Sequence, residues 1–188
     1  MSGGVAPEEE RRLVERAAAG DRTALRDLYL LHRDSAHRVA VRYLGDEAEA
    51  RDVVQDVFVT LLAQPGAFEP RARFSTWLWR VVVNRCLNRR AKAGHRRGGR
   101  EAGEGVLEAV PDDPGRAPEA ALASAQEAAR VRAAIDALPD RQRIAVLLSR
   151  FEGLSYEEIA AALDTTVSSV ESLLFRARRA LATALADR

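Results

Sequence analysis

"SYEEIAAALDTTVSSVESLLFRARRAL" runs from Ser155 to Leu181. Ile159, Ala160, Leu163, Val170 and Leu173 stand where two short helices pack across a tight turn. Ser155 and Glu158 have the spacing of a capping box, which opens the first helix. Thr166 is placed to cap the second, leaving its N-terminal N–H groups free to meet phosphate. Asp164 occupies the turn, and aspartate tolerates a left-handed backbone better than most residues. The pattern predicts a helix-turn-helix whose second helix enters a DNA major groove. Val170, Leu174, Ala177 and Leu181 then face the core, while Ser168, Ser169, Glu171, Ser172, Phe175, Arg176 and Arg179 face outward. An αα-hairpin closing a plain bundle carries the same periodicity, so the remaining sequence has to choose.

Charge separates the two readings. The chain of 188 residues has a net charge of +1, but the charge is divided unevenly. Arg71–Arg100 holds ten basic residues and no acidic one, whereas Glu101–Ala128 holds seven acidic residues and one basic. A basic block on a structured element is an electrostatic footprint for polyanions. A solvated helix face followed by a charged linker is the plainer reading of the same residues. The single cysteine, Cys86, excludes an internal disulfide and a cysteine-based metal site. His32, His37 and His95 do not cluster at metal-ligand spacing, and neither metal nor cofactor is expected. No apolar run approaches the roughly 20 residues that span a bilayer. No secretory signal is visible, so a cytoplasmic protein without membrane insertion is expected.

Helical periodicity continues toward the N-terminus. "EEERRLVERAAAG" has acids in its first turn and a glycine at its end. Ala24–Leu44 places Leu25, Leu28, Leu31, Ala36, Val39, Ala40 and Tyr43 on one stripe, and Gly45 fits a C-cap. "DEAEARDVVQDVFVTLLAQ" follows, with Ala50, Val53, Val54, Val57, Phe58, Leu61 and Leu62 on its apolar stripe. Ser75 reads as the N-cap of a further helix reaching about Lys92, apolar in its first half and basic in its second. From 93 to 118 glycine, proline and charge dominate and no apolar face exists, which predicts a flexible linker. Helical patterns resume in 119–188. The expected fold class is therefore all-α: two small helical domains, 1–92 and 119–188, joined by a flexible linker at 93–118, the second containing the helix-turn-helix.

Three segments, "ARDVVQDVFVTLL" (Ala50–Leu62), "FSTWLWRVVVNRCLNRR" (Phe74–Arg90) and "ALPDRQRIAVLLSRFEGLSYEEIAAALDTTVSSVESLLFRARRAL" (Ala137–Leu181), stand in this order. In these segments the chain resembles a bacterial RNA polymerase sigma factor of the extracytoplasmic-function (ECF) subgroup. With the N-terminal helices the resemblance covers about four-fifths of the chain. It implies a region 2-like domain for core polymerase binding, −10 recognition and melting, and a region 4-like domain for −35 recognition. The partners it implies are core RNA polymerase (the β′ clamp helices and the β flap), promoter DNA and an anti-sigma factor.

The resemblance also assigns residues. Asp52, Gln55, Asp56, Phe58 and Leu62 match the helix that docks on the clamp helices. Phe68, Arg71 and Arg73 match the loop that holds flipped bases, and Trp77, Arg80, Asn84 and Asn88 match the −10 and melting face. Glu171, Ser172, Phe175 and Arg176 match the surface on the −35 duplex, and Ser168, Ser169, Arg178 and Arg179 would touch phosphate. Glu171 stands where Lys or Arg is frequent and Leu173 replaces a frequent Arg, which implies weaker isolated duplex binding. Glu171 could accept from a cytosine amine or pair with an arginine. A helix-turn-helix regulator acting on duplex DNA without polymerase accounts for the C-terminal half alone. No nucleophile–base pair or phosphate loop is visible, so no enzymatic activity is expected.

Overall fold

The computed structural model describes residues 7–63, 74–96 and 118–186. They form α1 (Pro7–Ala18), α2 (Arg22–Leu44), α3 (Glu47–Ala63), α4 (Phe74–Arg96), α5 (Pro118–Asp136), α6 (Asp140–Phe151), α7 (Tyr156–Ala162) and α8 (Val167–Ala186). The all-α expectation holds among these residues. Local chemistry sets several ends. Asp21 accepts from the N–H groups of Thr23 at 2.9 Å and Ala24 at 3.2 Å and so starts α2. Gly45 closes α2 at φ 73°, its N–H donating to the Val41 carbonyl at 2.8 Å, a geometry a Cβ would disfavour.

One predicted boundary moves. α4 begins at Phe74, so Ser75 lies inside its first turn and is no N-cap. The aromatic residue ahead of it is already packed: Phe74 is buried, its ring 5.3 Å from His32 and 5.6 Å from Trp77. Burial of a large ring outweighs the preference for a hydroxyl at a helix start. α4 also continues to Arg96, into the stretch read as linker.

α1 to α4 make one bundle, in which α2 touches α1, α3 and α4. Leu28, Val39, Val53, Val57, Leu61, Leu78, Val82 and Cys86 fill its centre. Burial pushes the Cys86 thiol up to about 12. α5 to α8 make the second bundle, around Ile144, Leu147, Leu148, Ile159 and Val170. Truncating a fully buried leucine such as Leu28 or Leu148 to alanine would cost about 2–5 kcal/mol.

The two bundles meet along a seam, α2 against α6 and α4 against α7. Arg143 of α6 is at its centre, only 3% exposed. It pairs with Asp136 of α5 and donates to the Arg42 carbonyl of α2 at 2.8 Å, with its guanidinium 5.4 Å from the Tyr43 ring centroid. Burial lowers the guanidinium from its usual affinity for a proton, and Asp136 opposes the shift. Arg90 of α4 pairs with Asp140 at 2.9 Å, and Arg42 lies 4.3 Å over the Phe151 ring. Glu152 faces Arg38 at 3.8 Å, and burial raises its carboxyl above the usual value. Across the seam, arginines thus meet carboxylates and rings that are far away in the sequence.

Candidate nucleic-acid interface

The helix-turn-helix has the local geometry its sequence requires. Ser155 and Glu158 complete the capping box: the Glu158 N–H donates to the serine hydroxyl at 3.2 Å, and the Ser155 N–H donates to the Glu158 carboxylate at 2.9 Å. Asp164 adopts φ 48°, the left-handed conformation that turns the chain between α7 and α8. The Thr166 hydroxyl accepts from the Ser169 N–H at 3.2 Å and opens α8. Val170, Leu174 and Ala177 are buried beneath α8. Glu171, Ser172, Phe175, Arg176, Arg178 and Arg179 are exposed along it, with Ser168 exposed and Ser169 half-buried at its start. Phe175, at 62% exposure, is the most exposed of the large apolar side chains described.

Arg178 donates to the Tyr156 hydroxyl at 3.2 Å, which ties α8 back to α7. Glu171 has no ion-pair partner among the described residues, so its carboxylate stays available to an external donor. Sequence reasoning missed Arg141. At the start of α6, it donates to the Leu163 carbonyl at 2.7 Å and lines one hollow with Ser168, Ser169, Ser172 and Arg176. No local pattern marks it, because α6 is brought there by tertiary packing.

The predicted −10 face divides. Arg80, Asn84 and Asn88 are exposed, one turn after another along α4. Trp77 falls on the same helical azimuth but is turned inward, at 6% exposure, against Phe74. The face therefore opens only from Arg80 onward. Phe68, Arg71 and Arg73 lie outside the described residues. The basic block is also partly engaged within the molecule. Arg85 donates to the Thr60 hydroxyl at 2.8 Å and faces Asp56 at 3.5 Å, while Arg89 lies 3.5 Å from both Asp52 and Asp56. Arg90 donates to the Tyr43 carbonyl at 3.1 Å and holds Asp140 across the seam. Arg80 has no such partner among the described residues.

The residues matched to polymerase docking fall on two sides of α3. Gln55, Phe58 and Leu62 line a groove of about 260 Å³ between α2 and α3, together with Leu25, Tyr29 and Val59. Phe58 is buried as its floor, edge-on to Tyr29 with centroids 4.4 Å apart. Asp52 and Asp56 instead turn toward α4 and its arginines. Among the described residues no cluster of His, Cys, Asp or Glu could hold a metal ion, and no helix is long and apolar enough to cross a membrane.

Comparison with known proteins follows the same division into two bundles. The family model for Sigma-70 region 2 matches residues 28–96, and that for Sigma-70, region 4 matches residues 128–181. The RNA polymerase sigma-H factor of Pseudomonas aeruginosa is 34% identical over 182 residues, covering 95% of this chain and 94% of that one. The ECF RNA polymerase sigma-E factor of Escherichia coli K12 is 33% identical over 175 residues, 90% of each. Among solved structures, CnrH in complex with the cytosolic domain of CnrY is 28% identical, with a TM-score of 0.70 over 95% of this chain and 99% of that one. The sigma factor RpoE of Bartonella quintana, solved with the anti-sigma factor NepR, shares the fold with a TM-score of 0.66 at 23% identity, over 87% of this chain and 98% of that one.

Proposed function

Because this chain belongs to the ECF subgroup of RNA polymerase sigma factors, we propose that its exposed helix faces divide promoter recognition between them. The protein binds core RNA polymerase, directs it to specific promoters and helps melt the −10 region. The exposed face of α8 reads the −35 duplex from the major groove, through Glu171, Ser172, Phe175 and Arg176. Ser168, Ser169, Arg178 and Arg179 hold phosphate, and Arg141 joins them from α6. Arg80, Asn84 and Asn88 act at the −10 element, where amides pair with the edges of unstacked bases and the arginine follows the backbone. Gln55, Phe58 and Leu62 dock on the polymerase clamp.

The matches to both sigma regions, in order and on the two bundles, carry this reading. A regulator acting on duplex DNA without polymerase leaves the region 2 match unexplained. The protein supplies specificity and strand opening, with no catalytic chemistry of its own, and works in the cytoplasm. An anti-sigma partner covering these surfaces fits the same reading, since RpoE of Bartonella quintana was solved with one. The deciding experiment is run-off transcription on genomic fragments with core polymerase. Initiation at defined sites should depend on the added protein; initiation at the same sites without it would refute the reading.

A further inference from the structure

We propose that Arg22 and Arg26 form a positive rim on the α2–α3 groove, and that the groove takes an amphipathic polymerase helix bearing carboxylates beside its apolar stripe. The inference rests on the polymerase-binding reading and deepens it. α2 is the groove's second wall, and the resemblance assigned nothing there.

The groove floor is apolar: Leu25, Tyr29, Phe58 and Leu61 line it, and Val59 and Leu62 are 54% and 51% exposed along it. Gln55 to Leu62 spans two helical turns, so the groove accommodates about two turns of a docked helix, roughly 10 Å. Its polar lining is unequal. Gln55 is neutral, while Arg22 and Arg26 follow one turn apart on α2. The nearby acids of α3 are directed elsewhere, since Asp52 and Asp56 face Arg85 and Arg89. Neither Arg22 nor Arg26 has an ion-pair partner among the described residues.

Folding does not account for these arginines. Arg22 is the first residue of α2, and the first turn contains no acid. A helix N-terminus carries partial positive charge, so a cation there is locally unfavourable. An apolar groove edged by two unpaired cations is complementary to an apolar stripe flanked by Glu or Asp. Rim charges of this kind act mainly on encounter: they raise the association rate at low salt and affect dissociation little.

The test measures association and dissociation of the full chain with core RNA polymerase between 0.05 and 0.5 M salt, as order-of-magnitude limits set by the screening length. Arg22→Glu/Arg26→Glu should slow association about tenfold at the low-salt end, with the gap closing toward high salt and dissociation within about twofold of the parent. Arg22→Gln/Arg26→Gln should lie between. Arg11→Glu/Arg12→Glu makes the same net charge change on α1 and should associate like the parent. Acid at position 22 favours the start of α2, and an unchanged urea midpoint of the double variant separates slower association from unfolding. Parental association by the Arg22/Arg26 variants, alongside weakened binding by Leu62→Ala, would overturn the inference and leave the polymerase reading standing. Parental binding by Leu62→Ala as well would remove the groove as the docking site. A defect seen only with promoter DNA would overturn the inference by giving the arginines to phosphate.

Discussion

Arg143→Ala probes the seam between the bundles most directly. The substitution removes a guanidinium that is 3% exposed, pairs with Asp136, donates to the Arg42 carbonyl at 2.8 Å and lies over Tyr43. A hydrogen bond from a charged donor contributes about 1.5–3 kcal/mol, and a partly desolvated cation–π contact about 1 kcal/mol. Against this stands the cost of burying the charge, visible in the guanidinium's lowered proton affinity. Asp136 keeps some exposure, its side chain 29% accessible, so water recovers part of its loss. The net expectation is about 2–4 kcal/mol of lost stability. With a urea slope of about 2 kcal/mol/M, the midpoint should fall by about 1–2 M. The partners lost on α2 lie across the seam, so small-angle scattering should also show a larger radius of gyration in dilute buffer. Arg143→Lys keeps the charge but not the fork, and should fall between parent and alanine. A midpoint within about 0.25 M of the parent, with an unchanged scattering curve, would refute the account of Arg143 as the centre of the seam.

Three shorter predictions concern the other elements. Asn84→Ala should impair open-complex formation more than closed binding; equal permanganate reactivity of the −10 thymines would remove Asn84 from the melting face. Ser155→Ala loses the cap of α7 and should cost about 1 kcal/mol, read from the urea midpoint, while Ser155→Asp should recover most of it. Glu152→Gln should raise stability at pH 7 or leave it unchanged. The folded-state carboxyl is held above its ordinary value by burial, so its ionised form costs stability at neutral pH. That cost disappears as pH falls toward the unfolded value, and the parent should gain on the variant over the same descent. Flat, parallel pH profiles for the two proteins would contradict this.

Periodicity made the helix-turn-helix legible because its determinants are local. The capping box, the Asp164 turn and the Val170–Leu174–Ala177 stripe all lie within a few residues of one another. The α4 face shows where that logic ends. Trp77, Asn84 and Asn88 share an azimuth, yet Phe74 covers the first and leaves the others open. Periodicity fixes which residues share a side of a helix, but not which neighbour covers that side at each turn. Asp52 and Asp56 illustrate the same limit. They lie off the apolar stripe, as expected, but their direction toward Arg85 and Arg89 depends on how α3 and α4 pack. The seam lies further still from local patterning, because Arg143 reaches a carbonyl 101 positions away. Arg38 and Arg90 meet Glu152 and Asp140 only once the bundles are placed together.

Cys86 gives this protein an internal clock. It is the only cysteine, fully buried on the helix that also carries Arg80, Asn84 and Asn88. With burial pushing its thiol up to about 12, the thiolate that alkylation needs is scarce at pH 8, even if reagent could reach it. Alkylation therefore has to wait until the first bundle opens, and its rate counts those openings. Pulse-labelling through an initiation cycle would time whether the interior of α4 stays packed while its outer face handles single-stranded DNA.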